Sequence, residues 1–232
     1  EIPGTARVPQ GGPGTGKLRV GEVFGHLLGS HHVVASNPRH LTGNFNAHLE
    51  RAILFQGDEA FYAGDPSNAG TLKDLVTNSR RMIERKGFDP VTVKSCVRLL
   101  VTSNEEWVVP VGPRERRFAV LAVSEARMQD RPYFGRMIEQ LKVGGYEALL
   151  RYMRSIDLTE PGRDVGCIPR TAAQRDQAVR SLPPVDAWWH EQLMQGAIGN
   201  GDGWPEMVDC GALYSAYEQH VSANSRKRPE AQ

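Results

Sequence analysis

Short, nearly continuous apolar runs alternate along this chain with stretches in which apolar residues recur every three to four positions. That alternation predicts buried parallel strands linked by helices, an α/β fold. Thr5–Val8 is the first, brief run. Leu18, Val20, Val23, Phe24, Leu27 and Leu28 then recur at helical spacing and predict a helix with an apolar core-facing stripe, closed by Gly29 as C-cap. His32–Ser36 predicts a strand, Asn44–Arg51 a short helix, and Ala52–Glu59 an apolar strand that ends in two carboxylates. Ala69–Thr77 reads as a helix. Arg80–Lys86 and Val91–Cys96 alternate about Gly87-Phe88-Asp89-Pro90 as a β-hairpin would. Strands at Val97–Thr102 and Phe118–Val123 precede helices at Tyr133–Leu141 and Tyr146–Ile156.

Residues 159–184 are polar and punctuated by Pro and Gly, a predicted linker carrying one helix at Ala172–Arg180. Residues 185–232, with Trp188, Trp189, Leu193, Trp204, Leu213, Tyr214 and Tyr217, predict a small helical or winged-helix-like module. Residues 1–158 form the principal domain. Adjacent Trp188 and Trp189 fit core packing of that small module, and also stacking on bases.

With 232 residues and a formal net charge of +1, the chain can bury one substantial core. Any binding to nucleic acid must come from a local basic surface. No long apolar run predicts a membrane span. Three well-separated cysteines, Cys96, Cys167 and Cys210, fit a reducing compartment, and a cytoplasmic location is expected. His26, His31, His32, His40 and His48 have irregular spacing and no cysteine partner, which favours structural roles over metal binding. The start at Glu1, so close to the loop described next, is expected to be a cut or misassigned terminus.

Gly11-Gly12-Pro13-Gly14-Thr15-Gly16-Lys17 fits the phosphate-binding pattern G-x-x-x-x-G-K. Its glycines let backbone N–H groups wrap a polyphosphate, and Lys17 reaches the outer phosphates. Leu18 stands where a Ser or Thr hydroxyl would hold Mg²⁺. A Gly/Pro-rich surface turn would read the same way, but Asp58 and Glu59 follow at the end of a strand. Phosphoryl hydrolysis needs one carboxylate near Mg²⁺ and a second to activate water. Asn104, ending the next strand, can contact the attacking water or the γ-phosphate. Arg114, Arg116 and Arg117 form either a solvated turn or a finger offered to a neighbouring subunit's phosphate. Arg80, Arg81, Arg85 and Lys86 place four cations in seven residues, enough for a nucleic-acid phosphate contact or a solvated hairpin face.

The segments GGPGTGK, SNPRHLTGNFNAHLE, ILFQGDEAF, LKDLVTNSRRMIERKG, LLVTSNEEWVVP and RERRF, in this order over residues 8–158, resemble the helicase domain of phage and plasmid primase-helicases. That group belongs to the superfamily 3, AAA+-like P-loop NTPases and is similar to the poxvirus-type primase-helicases. The resemblance implies ATP and Mg²⁺ as cofactors and a homo-hexameric ring translocating on single-stranded or forked DNA, with a primase domain or subunit as companion. It makes Lys17 the phosphate lysine, Asp58 the metal carboxylate, Glu59 the base, Asn104 the sensor, and Arg116 or Arg117 the finger. Lys73–Lys86 resembles a motif leading into a pore hairpin, so Lys73, Arg85 and Lys86 become DNA-binding candidates. Asn37, Arg39 and Asn44–Asn46 also match, with no role attached. A catalytically weak nucleotide- or DNA-binding ring subunit is the alternative that Leu18 keeps open.

Overall fold

The computed structural model describes residues 4–37, 40, 43, 45–58, 66–105, 107–109, 111–112, 115–162, 166–199, 201 and 203–225. The chain divides into a unit of Glu1–Gln177 and a second of Ala178–Gln232.

Five strands build the core of the first unit: β1 (Ala6–Gln10), β2 (His32–Ala35), β3 (Leu54–Asp58), β6 (Arg98–Thr102) and β7 (Phe118–Ala122). They pair in the order β2-β3-β6-β1-β7, all parallel. Because β6 inserts between β1 and β3, the ends of three non-consecutive strands meet at one level: Asp58 is in register with Thr102, and Gln10 bridges Ser103. The strands are apolar because helices cover them: Val8, Phe55, Val101, Phe118 and Val120 are wholly buried. β4 (Arg80–Ile83) and β5 (Val91–Lys94) form a separate antiparallel hairpin, as the alternation predicts.

Helix α1 (Lys17–Leu28) follows the glycine loop and ends where expected, the Gly29 N–H bonding Gly25 O at φ +56°. Its buried face is not the predicted apolar stripe. Lys17, Gly21 and Gly25 face the sheet, whereas Leu18, Val20 and Phe24 are 36%, 45% and 38% exposed. The reason is close approach: a Cβ on Gly21 would sit 1.9 Å from Gln56 Oε1, and one on Gly25 would sit 2.0 Å from His32 Nδ1. The His32 ring nitrogen and Gln56 amide are themselves 3.0 Å apart. Periodicity identified the helix, and the glycines inverted its orientation.

Helix α2 (Pro66–Thr77) precedes the hairpin. After β7 a short turn leads into α3 (Arg131–Gln140), which joins α4 (Tyr146–Ser155) across a kink at Val143–Gly144. Helix α5 (Ala172–Arg180) coincides with the expected helix of the polar segment. It is tied to the first unit at two points: Thr171, just before it, donates through Oγ1 to Val120 O of β7 at 2.5 Å, and buried Gln177 accepts from Val108 N–H at 2.8 Å.

In the second unit, α6 (Pro184–Gln195) and α7 (Cys210–Ser225) are the helices, and no strand occurs among the described residues. Trp188 is 5% exposed and packs edge-on against Tyr217 at 5.5 Å, a core role. Trp189 lies against Trp204. No helix among the described residues is long and apolar enough to cross a membrane.

Candidate functional site

A parallel α/β sheet presents its ligand crevice outside the carboxyl ends of its strands, where connections diverge. The loop from Gly11 to Gly16 leaves β1 at that edge. Gly14 and Gly16 have φ of +81° and +84°, a left-handed backbone that turns the chain and that glycine adopts without strain. The Thr15 hydroxyl donates to Gly12 O at 2.9 Å, so it ties the loop and is not directed to a metal. Lys17, 6% exposed at the start of α1, donates to Gly12 O at 3.2 Å and makes a short contact with Asn104 Oδ1. The loop lysine and the residue two positions beyond β6 are therefore in direct contact.

Asp58 completes this side of the crevice. Its Oδ1 accepts from the buried Thr102 hydroxyl at 3.1 Å, across the β3–β6 register. Glu59, expected as the second carboxylate, lies outside the described residues, as do Arg114, Arg39 and Asn44. Among the described residues no cluster of three metal-ligating side chains occurs. The histidines are engaged locally: His26 stacks on Tyr146 at 3.8 Å, His31 bonds Arg51 O at 2.8 Å, and His48 bonds His40 O at 2.7 Å.

Leu18 lines a cavity of about 700 Å³ together with Gly14, Gly16 and Lys17. Its opposite wall is the segment after β7, Gln129, Arg131, Phe134 and Ile138, whose helix the sequence predicts but whose place at this site it does not. The Gln129 N–H donates to Gly14 O at 2.9 Å, and Gln129 is the one described non-glycine residue with positive φ, at 59°. A Cβ on Gly16 would lie 2.5 Å from the Phe134 ring. Asp130 caps α3 by accepting from Tyr133 N–H at 2.9 Å and pairs with Arg127 at 3.1 Å. These bonds, the backbone donor first, hold its carboxyl below the ordinary range. The only prior signal for this wall was Asp130 one residue before an N-terminal Arg-Pro, a helix-start pattern.

The arginine turn lies elsewhere. Arg117 precedes β7, and its carbonyl accepts from Ala6 N–H at the opposite, amino end of the sheet. A strand of this length separates it from the loop of its own chain by roughly 13 Å. Arg117 is forked onto Glu115, at 3.1 Å to both oxygens, and Lys73 approaches the same carboxylate at 4.0 Å. The Arg116 side chain is exposed, with no side-chain partner among the described residues.

Of the DNA-binding candidates, Arg85 is gripped by Glu50 through both its Nε and Nη2. That hydrogen-bonded pair lowers the Glu50 pKa and raises that of Arg85. Lys86 stands exposed in the hairpin turn. Asn46, which matched the family pattern without a role, clamps the hairpin: its amide donates to Met82 O at 3.0 Å and accepts from Glu84 N–H at 2.8 Å.

The architecture is thus α/β, with a parallel five-stranded sheet and a polar crevice at its carboxyl edge. A family model described as "Family of unknown function (DUF5906)" matches residues 10–117. No curated protein matches the chain. Among solved structures, an A-form apo structure of the NrS-1 C-terminal region superposes with a TM-score of 0.69 at 18% identity, covering 94% of this chain and 54% of that one. A second apo structure of that region gives 0.67 at 15% identity, with the same coverage. The chain therefore shares the fold of the NrS-1 C-terminal region and spans about half the length of the solved chains it matches.

Proposed function

We infer that this chain is the ATP-hydrolysing helicase module of a phage-type primase-helicase, acting as a subunit of a homo-hexameric ring on single-stranded or forked DNA. The observation that carries the reading is the convergence of the glycine loop with Lys17, Asp58 and Asn104 at the ends of three adjacent parallel strands. The fold shared with the NrS-1 C-terminal region and the order of the motifs support it.

In this reading the loop N–H groups and Lys17 bind the triphosphate. Lys17 exchanges its contact with Asn104 for the γ-phosphate, which releases the Asn104 amide to orient water or phosphate. The donor set fits Mg²⁺, a cation that takes one or two carboxylates, substrate phosphates and several waters. Asp58, fixed through one oxygen by Thr102, would hold it, and the ion would neutralise charge developing on the phosphates. Glu59 is assigned as the base that takes the proton from water. The finger comes from a neighbour, since Arg116 and Arg117 lie at the far end of their own sheet.

The test is ATP turnover with and without single-stranded DNA. We expect DNA-stimulated turnover in the wild-type chain and a loss of at least about 100-fold in Lys17→Ala. Leu18 favours the second reading, a binding subunit with weak turnover, because Thr15 is committed to Gly12 and supplies no replacement hydroxyl. Leu18→Thr separates the two. A change within about threefold means water already fills the coordination position. A gain of tenfold or more identifies a degenerate site.

A further inference from the structure

Two glutamine amides link α5 to the end of β1 and to the segment that follows Asn104. Gln177 is wholly buried, although glutamine is ordinarily a surface residue. Its Oε1 accepts from Val108 N–H at 2.8 Å and from Val109 N–H at 3.4 Å, and its Nε2 donates to Gln10 Oε1 at 3.4 Å. Gln10 Nε2 in turn donates to Glu105 O at 3.1 Å. We propose that Gln177, acting through Gln10, is a positioning residue that places Asn104 beside Lys17 for ATP turnover. This rests on the proposed hydrolysis of ATP at the glycine loop, and it adds α5 to the elements that control that site.

Three observations carry it. The first is that the direction of the relay is forced. Two N–H groups meet Gln177 Oε1, so its amide nitrogen is the end that faces Gln10. Gln10 must then present its oxygen to Gln177 and its nitrogen to the Glu105 carbonyl. Flipping either amide sets donor against donor or acceptor against acceptor, so each glutamine fixes the other.

The second is the cost of losing it. Val108 and Val109 are 1% and 0% exposed, so bulk water cannot satisfy their N–H groups. Removing the Gln177 oxygen leaves two buried donors unpaired, and that penalty drives the backbone to move. The third is location. Asn104 lies two positions beyond β6, between Ser103 and Glu105, with no strand pairing of its own among the described residues. Ser103 is bridged to Gln10, its Oγ accepts from Glu105 N–H at 3.0 Å, and Glu105 O is the acceptor of the Gln10 amide. Both neighbours of Asn104 are thus tied to Gln10, one through backbone and one through the side chain. Gln10 immediately precedes Gly11, so the loop and Asn104 share one anchor. A side chain that orients water or the γ-phosphate loses rate steeply when displaced by as little as about 1 Å.

The test is steady-state ATP turnover with single-stranded DNA in the wild type, Gln177→Met, Gln10→Met, Asn104→Ala and the double variant Gln177→Met/Asn104→Ala. Methionine is close to glutamine in length and lacks the amide. Gln177→Met should lower kcat by about 10- to 100-fold and leave KM for ATP within about twofold, because the loop and Lys17 still bind phosphate. Gln10→Met should do the same. It leaves Gln177 on Val108 and Val109, so its circular dichroism should match the wild type, and it decides the matter if Gln177→Met does not fold. In the Asn104→Ala background, Gln177→Met should lower kcat by less than about twofold further, since nothing remains for it to position. Losses that multiply in the double variant, a rise in KM with kcat unchanged, or wild-type kcat in folded Gln10→Met would overturn the relay while leaving ATP hydrolysis standing. If the wild-type protein turns over no ATP, the hydrolytic reading falls, and the relay falls with it.

Discussion

At the level of single residues, Gly16 carries the sharpest constraint. Its φ of +84° and the Phe134 ring 2.5 Å from a would-be Cβ leave no room for a side chain. Gly16→Ala should therefore cost about 1–3 kcal/mol of stability, read from denaturant midpoints, and loosen the loop from α3. A glycine at this place was legible from the sequence, because the G-x-x-x-x-G-K pattern calls for backbone turns there. Its second duty, as a seat for an aromatic ring more than a hundred positions away, was not: nothing local distinguishes a glycine that turns from one that also receives. Leu18 has the same history. Read alone it is a missing hydroxyl, and read in place it is a wall.

At the level of elements, most strands and helices followed from periodicity to within a few residues, since strand and helix periods are local properties. The buried side of α1 did not. Apolar residues favour burial one at a time, but Gly21 and Gly25 allow the whole helix backbone to approach the sheet, and that approach decides the orientation. The α3 terminus gives an element-scale expectation. Hydrogen bonding holds the Asp130 pKa below its ordinary value, so the carboxylate stabilises the fold above that ordinary value and ceases to do so as pH falls through the lowered one. Acid unfolding of the wild type below about pH 4 should therefore be steeper than that of Asp130→Asn, which keeps a capping oxygen and loses the titration. Circular dichroism against pH in the two proteins measures this.

For the whole molecule, the order β2-β3-β6-β1-β7 was the part least accessible to sequence reading, because strand neighbours are chosen by packing and crossover handedness. It is also what joins Lys17 to Asn104 and sends the arginine turn to the opposite end. Within the proposed ring, that separation predicts complementation. On the proposed reading, Lys17→Ala retains the arginine finger and lacks the phosphate lysine, and Arg116→Ala has the reverse defect. Each should be nearly inactive alone, and a mixture should recover a measurable fraction of DNA-stimulated turnover, since some interfaces pair an intact loop with an intact arginine. Arg117→Ala should be the milder lesion, because Glu115 already holds that side chain. No recovery on mixing would place the arginine's action inside one chain.

Strand β6 has one more consequence. Three residues separate it from the second strand of the hairpin, and two positions beyond its other end stands Asn104. Lys94 and Asn104 are thus joined by one short run of chain whose middle, β6, is held between β1 and β3. On the proposed function, this run of chain is a direct covalent path between Asn104, the contact of Lys17, and the hairpin.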